Sequence, residues 1–348
     1  MPLALRSLDH LITLSDDVGV IQHALENVPN RSTGYCTDDV ARALIVAIAR
    51  LRAVPKDAQA HRLAATFLAF LHDAQLPDGR FHNFMSYDRR WLDKIGTKDS
   101  NGRALWGLGY AMRYAPDPAW RRTAKQIFEH GLYALEWLKY PHAEAYAMLG
   151  LAHAQTSSAQ PAYAAALRVL GGRSLGRLAA ASNANWTWFD DIMTYDVARL
   201  PEALLRAGVA TEERTFVEAG LLALEFYEGV AFERGIFVPI GNAGWFRRGG
   251  ERARYDQQPL EAAAMVDAEL AALEATGHGK HQEVAQAAMA WYEGTNSEGI
   301  VMEHDGGCYD GLSAGHANHN MGAESTLALL SASYALALRR KSRIAVAR

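Results

Sequence analysis

Residues 185–199 read NWTWFDDIMTYDVAR and place three large aromatic residues, three aspartates and a tyrosine directly before a helix-forming segment. The end of this stretch recurs as DDVARAL at residues 38–44 and, in a similar layout, as DSNGRALW at residues 99–106. Each copy has acids first, then a small residue, an arginine and an apolar helix. Trp and Tyr rings suit the apolar faces of sugar rings, and carboxylates suit hydroxyl groups and proton transfer. The repetition therefore indicates both a repeating fold and the position of a site.

The apolar residues of the whole chain recur at helical spacing in about twelve segments, which pair into hairpins with a period of roughly fifty to sixty residues. Short connectors alternate with connectors that are mostly long and rich in aromatic and polar residues. One set of helices, including Ala145–Ala154 and Ser325–Ala337, is almost wholly apolar or small, whereas the alternate set is charged. Helices that are apolar all round lie inside, and helices with a charged face lie outside. We therefore predict an all-α (α/α)6 barrel of six helical hairpins, forming one domain over residues 1–348.

The spacing of apolar residues also predicts helices over Val18–Glu26 and Asp196–Ala207. A helical solenoid is the competing architecture, and it would expose a concave face along its whole length. The concentration of polar and aromatic residues in one set of connectors favours the closed ring instead. The basic residues within 340–348 predict a frayed tail.

The composition excludes several classes of function. The chain has 348 residues, of which 49% are hydrophobic and 21% charged, as in ordinary globular proteins. A net charge of −4 without a basic patch argues against a nucleic-acid partner. Two cysteines cannot build a disulfide framework or a multi-cysteine metal site. No stretch is typical of a signal peptide or long enough to span a membrane, so we expect a cytoplasmic protein without a membrane partner.

In a closed ring, the long connectors meet at the N-terminal ends of the inner helices, where a pocket should open. Helix capping explains one acid per helix, but several helices offer two or three. The residues that we expect to bind substrate there are Asp38, His82, Asp99, Asn101, Arg103, Trp186, Trp188, Tyr195, Tyr255, Gln257, His316, His319 and Glu324.

Three arginines accompany these acids. Arg42, Arg103 and Arg199 each follow an acid by three or four residues, which puts both side chains on one helix face. The spacing favours an internal ion pair that orients the acid. The alternative is that the arginines bind an anionic substrate group such as a uronate carboxylate.

Several carboxylates in a pocket with aromatic side chains are typical of glycoside hydrolysis, which uses one protonated and one ionised carboxyl group. Crowding of like charges raises one of the pKa values and so supplies both states. We expect Asp191 to be the general acid because it directly follows the aromatic residues, with Asp190 as a further catalytic candidate. Asp39 or Asp256 is the expected base. This interpretation requires Asp39, Asp191 and Asp256 to share one cavity.

The segments TDDVARAL, SNGRALWGLGYA and WTWFDDIMTYDVARLPEAL, together with the number of hairpins, resemble the six-hairpin glycosidase superfamily. That superfamily includes glucoamylase-like and unsaturated glucuronyl hydrolases and sugar epimerases of similar shape. The chain also resembles a bacterial glycosidase or glycosyltransferase-like group with GYCTDD and WFED-type motifs. Gly34–Asp39 and Trp188–Asp191 match these motifs, with Asp190 where Glu is common. The resemblance implies a barrel fold and carbohydrate processing by Asp191 and Asp39.

Two other functions stay open at this point. A sugar epimerase or a polysaccharide lyase would use His82, His316, His319 or Tyr195 as the base that removes a carbon-bound proton. A non-catalytic saccharide-binding protein would need no such base. We expect neither a cofactor nor a metal: His316 and His319 would lie on one helical turn, but no firm third ligand accompanies them.

Overall fold

The computed structural model describes residues 5–346, and the side chains of residues 5–341. The α-helices within this range are α1 Asp9–Leu14, α2 Thr37–Ala53, α3 Ala58–Ala74, α4 Lys98–Tyr114, α5 Pro118–Gly131, α6 Leu135–Leu138, α7 Pro141–Ser157, α8 Pro161–Ala181, α9 Arg199–Thr211, α10 Arg214–Ala231, α11 Pro259–Thr276, α12 Lys280–Ala290 and α13 Ala323–Val346. None of the helices in the described part of the chain is long and apolar enough to cross a membrane.

Six of these helices form a closed inner ring. α2 packs on α4, α4 on α7, α7 on α9, α9 on α11 and α11 on α13, and α13 returns to pack on α2. An outer ring covers them, with α3 on α2, α5 on α4, α8 on α7, α10 on α9, α12 on α11 and the short α1 on α13. The predicted (α/α)6 barrel is confirmed. A solenoid is excluded because the last inner helix packs on the first.

The burial of the two rings follows from their sequences. In the inner helix α7, every residue of 143–154 is buried, and these residues are mostly Ala, Leu, Met and Gly. In the outer helix α10, only a stripe at helical spacing is buried, including Phe216, Ala223 and Tyr227. A one-sided apolar stripe faces the core and leaves the opposite, charged face in solvent.

The long connectors that lead into the inner helices carry short antiparallel strand pairs. These pairs are β1 Ala24–Leu25 with β2 Val28–Pro29, β3 Tyr35–Cys36 with β4 Phe84–Met85, β5 Ile192–Met193 with β8 Phe246–Arg247, β6 Phe232–Glu233 with β7 Ile236–Phe237, β9 Glu303–His304 with β10 Gly307–Cys308, and β11 Gly311–Ser313 with β12 His316–Asn318. Because their backbone groups pair with each other, the connectors build a defined rim at the N-terminal ends of the inner helices.

The helix predicted over Val18–Glu26 is wrong. The Ile21 and Gln22 N–H groups donate to the Leu14 and Gly34 carbonyl groups at 2.9 and 3.0 Å, so the donors that a helix would use within this stretch bond outside it. Ile21 then forms a β-bridge with Tyr35. The outer helix that precedes α2 in the chain is α1, which ends before this stretch, at Leu14.

The predicted start of the ninth helix is also displaced. α9 begins at Arg199 rather than Asp196, because Asp196 has a φ of 49° and therefore lies outside the helical region. At the other end of the chain, α13 continues to Val346. The frayed tail predicted at 340–348 falls partly on residues 347–348, outside the described residues, and it stays a prediction, as does the single domain over 1–348.

Candidate functional site

Arg103 joins three inner helices at the rim. Its guanidinium donates to Asp38 Oδ1 at 3.0 Å, to the Tyr146 hydroxyl at 2.7 Å and to Asp196 Oδ2 at 3.4 Å. Tyr146 in turn donates to Asp196 at 2.6 Å. Asp38, Arg103 and Tyr146 lie on α2, α4 and α7, and Asp196 precedes α9. Two carboxylates from the first and fourth hairpins of the ring therefore meet around a single buried cation.

Arg42 forms the second centre of this cluster. It contacts Asp39 Oδ1 at 2.7 Å and Glu324 Oε2, at the start of α13, at 2.8 Å. Burial raises the pKa of Asp39, although Arg42 acts in the opposite direction. The side chains of Asp38 and Glu324 are 18% and 38% exposed, whereas that of Asp39 is 7% exposed. Asp38 and Glu324 are thus the carboxylates of this cluster that solvent reaches most easily.

Asp196 lies beneath them and is held by two arginines. Arg199 Nε is 3.3 Å from Asp196 Oδ1, and the Arg199 guanidinium lies 4.6 Å from the centre of the Trp106 ring. Burial alone would raise the pKa of Asp196, but Arg199 and Arg103 together lower it below its ordinary value. Asp196 is therefore ionised at neutral pH, which makes it a fixed negative charge between the inner helices.

An aromatic cleft lies beside this cluster, where α7 and α9 begin. It is a cavity of about 180 Å³ lined in part by His142, Trp188, Asp190 and Tyr195. The Tyr195 ring stacks on His142 with 4.4 Å between ring centres, and its hydroxyl donates to Asp99. Burial lowers the pKa of His142, so its imidazole is neutral, and its Nε2 atom is buried without a partner among the described residues.

The opposite end of the barrel also holds a cavity, which the sequence did not predict. Its volume is about 240 Å³, and its polar lining includes Arg52, His153, Arg206 and Glu274. Burial, together with Arg206, Arg113 and Arg52, lowers the pKa of His153. Because these residues lie towards the C-terminal ends of the inner helices, this cavity is separate from the acid-rich rim.

The structure does not bring the three expected catalytic carboxylates together. Asp191 is 64% exposed and pairs with Arg248 at 2.6 Å, because the pairing of β5 with β8 puts the two residues side by side. Asp39 is bound to Arg42, and Asp256 accepts the Ser313 hydroxyl of β11. None of five cavities within residues 5–346 is lined by these three carboxylates. Asp190, by contrast, lines the aromatic cleft.

The two tryptophans expected to stack on sugar belong to the core. Trp186 and Trp188 are 3% and 1% exposed. Trp186 packs edge-on against Phe226 and Phe246, and Trp188 against Phe189. Their large apolar rings gain more from this packing than from exposure to water, so neither offers an open stacking face.

Several expected binding residues have structural partners instead. Asn101 is 2% exposed and accepts the Phe81 N–H, and Gln257 is fully buried and accepts the Trp291 indole N–H at 2.9 Å. His82 stacks on Trp91, and Tyr255 donates to Glu298. These contacts brace the rim loops and leave less of each side chain for a ligand.

The prediction that His316 and His319 share a helical turn is wrong. Residues 316–318 form β12, and α13 begins only at Ala323. The β-hairpin of β11 and β12 places both histidines on the surface, where His319 lies 3.4 Å from Glu26.

Asp310 is a rim residue that the sequence did not single out. It accepts from Asn320 at 3.1 Å and from Ser325 at 3.3 Å. Burial raises the pKa of Asp310, and the nearby charge of Glu324 acts in the same direction. Its only sequence signal was its place in a Gly-rich connector just before an inner helix.

No protein-family model and no curated protein matches the sequence. Many solved structures are similar, and they include the following three. A sugar epimerase from a ruminal bacterium has a TM-score of 0.75 at 14% identity, with 97% of each chain covered. A GH76 α-mannanase of Bacteroides thetaiotaomicron has a TM-score of 0.68 at 9% identity, covering 97% of this chain and 95% of that one.

The third is an α-1,6-mannanase, GH76A of Salegentibacter sp. HEL1_6, solved as an inactive variant with two consecutive aspartates replaced by alanine and in complex with α-1,6-mannotetrose. Its TM-score is 0.62 at 12% identity, covering 94% of this chain and 95% of that one. At sequence identities this low, the similarity of the structures shows a common fold and no more. The chain shares the (α/α)6 barrel fold of these enzymes.

Proposed function

We propose that this protein is a carbohydrate-active enzyme that hydrolyses glycosidic bonds in an oligo- or polysaccharide at the rim of the inner ring. The observation that carries the proposal is the meeting of carboxylates from α2, α9 and α13 around Arg42 and Arg103. Asp38 and Glu324 both act electrostatically on each of these arginines, which puts the four side chains in one cluster. Carbohydrate-active neighbours that match over nearly the whole chain support it.

Hydrolysis needs one carboxyl group that is protonated and one that is ionised. Glu324 pairs with Arg42 at 2.8 Å and is the most exposed carboxylate of the cluster, so we assign it as the base or nucleophile. Burial and the negative charge of nearby Glu324 raise the pKa of Asp310, so we assign Asp310 as the general acid. A carboxyl group with a raised pKa beside a second carboxyl group that pairs with an arginine is a pattern that acid–base catalysis uses.

This assignment is tested on a panel of oligosaccharides that begins with α-1,6-mannotetrose, with new reducing ends as the readout. We expect Asp310→Asn and Glu324→Gln each to lower kcat by about 10²-fold or more, the usual contribution of a catalytic acid or base. Asp305→Asn is the matched control, because Asp305 lies in the same connector with its side chain 74% exposed. Unchanged kcat in Asp310→Asn and Glu324→Gln would remove both roles.

Asp191→Asn separates the two assignments of the general acid. The sequence assigned that role to Asp191, whereas the exposed ion pair with Arg248 supports no such role. We expect Asp191→Asn to keep most of the activity. A loss as large as that of Asp310→Asn would restore the sequence-based assignment.

Epimerisation of a sugar is the second candidate, and His142 is the observation that favours it. A neutral imidazole with an unpartnered nitrogen beside Tyr195 is suited to removing a proton bound to carbon. The match to a sugar epimerase over 97% of both chains agrees with this alternative. In deuterated water, an epimerase gives a sugar isomer that carries deuterium, and His142→Gln abolishes the exchange. A hydrolase gives shorter products without deuterium on carbon.

A further inference from the structure

Glu228, Glu269 and His281 form a cluster away from the rim, between three consecutive helices. Glu228 lies on the outer helix α10, Glu269 on the inner helix α11 and His281 on the outer helix α12. One ligand atom from each residue lies within 4.8 Å of the others. None of the three belongs to the cavities at either end of the barrel described above.

The two carboxyl groups of this cluster lack the partners that buried carboxylates need. Glu269 is fully buried and His281 is 3% exposed. His281 Nδ1 lies 2.7 Å from Glu269 Oε2, and the carboxyl groups of Glu228 and Glu269 lie within hydrogen-bond reach of each other. In the described part of the chain, no N–H or hydroxyl group donates to Glu269 Oε1 or to Glu228 Oε1. An acceptor left without a partner in the protein interior is costly, so these oxygens call for a proton or a cation.

Within the described residues, no arginine forms an ion pair with these three side chains, in contrast to the rim. Lys280 is a basic side chain whose charge acts on both carboxyl groups. Burial, together with the charge of the other carboxyl group, raises the pKa of Glu228 to about 7. Burial likewise raises that of Glu269 to about 7. The repulsion between the two groups would be relieved by a divalent cation.

We propose that Glu228, Glu269 and His281 bind a divalent transition-metal ion of the zinc type, which fastens α10 and α12 to α11. One imidazole nitrogen and two carboxylates are a ligand set that zinc accepts, with bonds of about 2.0–2.2 Å. In a tetrahedral site, two such bonds separate their ligand atoms by about 3.3–3.6 Å, and the three ligand atoms here already lie within 4.8 Å of one another. Glu228 is half-buried, so the ion has a route of entry and a fourth position open to water.

The test uses the full chain after removal of metals with a chelator, titrated with Zn²⁺ by calorimetry and with Co²⁺ by its visible absorption. We expect a site that raises Tm when filled, since binding to the folded state alone stabilises it. Glu269→Gln and Glu228→Gln should each weaken that site by about tenfold or more. Glu228→Gln changes a half-buried side chain and guards against a variant that fails to fold, which circular dichroism would reveal.

Glu225→Gln is the matched control, because Glu225 is exposed on the same helix, one turn away, and the substitution removes the same charge. It should bind Zn²⁺ and Co²⁺ as the unmodified chain does. The proposal is overturned if Zn²⁺ leaves Tm unchanged, or if Glu269→Gln and Glu228→Gln keep the Co²⁺ spectrum and the Zn²⁺ affinity. Either result would mean that the two carboxyl groups share a proton instead.

Discussion

The inner and outer rings use the same charged residue types with opposite consequences. On the inner helix α9, Arg199 pairs with Glu202 at 2.6 Å and with Asp267 of α11 at 2.8 Å, and each of these side chains is at most 10% exposed. On the outer helix α10, Arg214 pairs with Glu218 at 2.7 Å, but these side chains are 90% and 59% exposed. Water can replace a partner in the second pair but not in the first. Ion pairs in the inner ring are therefore obligatory, whereas those in the outer ring are optional.

The largest effect should come from breaking the buried pairs. Arg199→Leu leaves Asp196, Glu202 and Asp267 without their shared cation, and we expect it to lower the free energy of unfolding by about 3–5 kcal/mol. Arg214→Leu should change it by less than about 0.5 kcal/mol. Urea unfolding of both variants measures the difference. Losses of equal size would show that burial does not separate the two rings.

Glycines provide a second contrast. Gly109 of α4 faces Gly150 of α7 so closely that a Cβ there would overlap the Gly150 carbonyl group and lie 2.6 Å from its Cα. On the outer helix α8, a Cβ on Gly176 would meet nothing within 4 Å. The inner helices approach each other at this point through their backbones, and the outer helix does not depend on its glycine.

Gly109→Ala should therefore destabilise the protein by about 1–3 kcal/mol through overpacking. Gly176→Ala should stabilise it by about 0.5–1 kcal/mol, because alanine loses less backbone entropy in a helix. Thermal unfolding of both variants measures whether each substitution lowers or raises the stability of the protein. A stabilised Gly109→Ala variant would contradict the close helix contact.

The cluster of Glu228, Glu269 and His281, which lies between the two rings, should make the stability of the protein depend on pH. The pKa values of Glu228 and Glu269, about 7 in the folded chain, lie above the unfolded value of about 4.3. The folded state therefore holds more protons between these values, and its stability falls as pH rises from about 5 to 7.5. In metal-free protein, Glu269→Gln should remove a decrease on the order of 2 kcal/mol.

Buried histidines such as His10 and His153 have lowered pKa values and change stability in the opposite direction. The quantity to measure is thus the difference between the unmodified chain and Glu269→Gln at each pH, with Glu225→Gln as the control. Parallel curves for the unmodified chain and Glu269→Gln would show that the carboxyl groups titrate normally.

The fold was predictable because the apolar residues of each hairpin recur at helical spacing within its own segment. The exceptions are local: the Ile21 and Gln22 N–H groups bond to carbonyl groups outside Val18–Glu26, and the positive φ of Asp196 delays the start of α9. The ion pairs expected between an arginine and an acid shortly before it form for two of the three arginines. Arg42 and Arg199 bind Asp39 and Asp196, the acids three residues before them.

Contacts between helices were not predictable in the same way. Arg103 follows Asp99 by one turn, yet it binds Asp38 and Asp196 from other hairpins. Asp99 instead accepts the Tyr195 hydroxyl. Ring closure decides these partners, and the spacing within one segment carries no information about it. For the same reason, the sequence could not show that Trp186 and Trp188 face the core.

The smallest expected effect tests one of these contacts between hairpins. Burial, together with Asp99, raises the pKa of Tyr195, which keeps its hydroxyl protonated so that it donates to Asp99. Tyr195→Phe removes the donor and should lower the free energy of unfolding by about 1 kcal/mol. Tyr133→Phe, at a residue that is 82% exposed, should leave it unchanged. Because Asp99 lies at the rim, Tyr195→Phe should also lower activity, whereas unchanged activity and stability would mean that this contact between hairpins has no role in holding the rim.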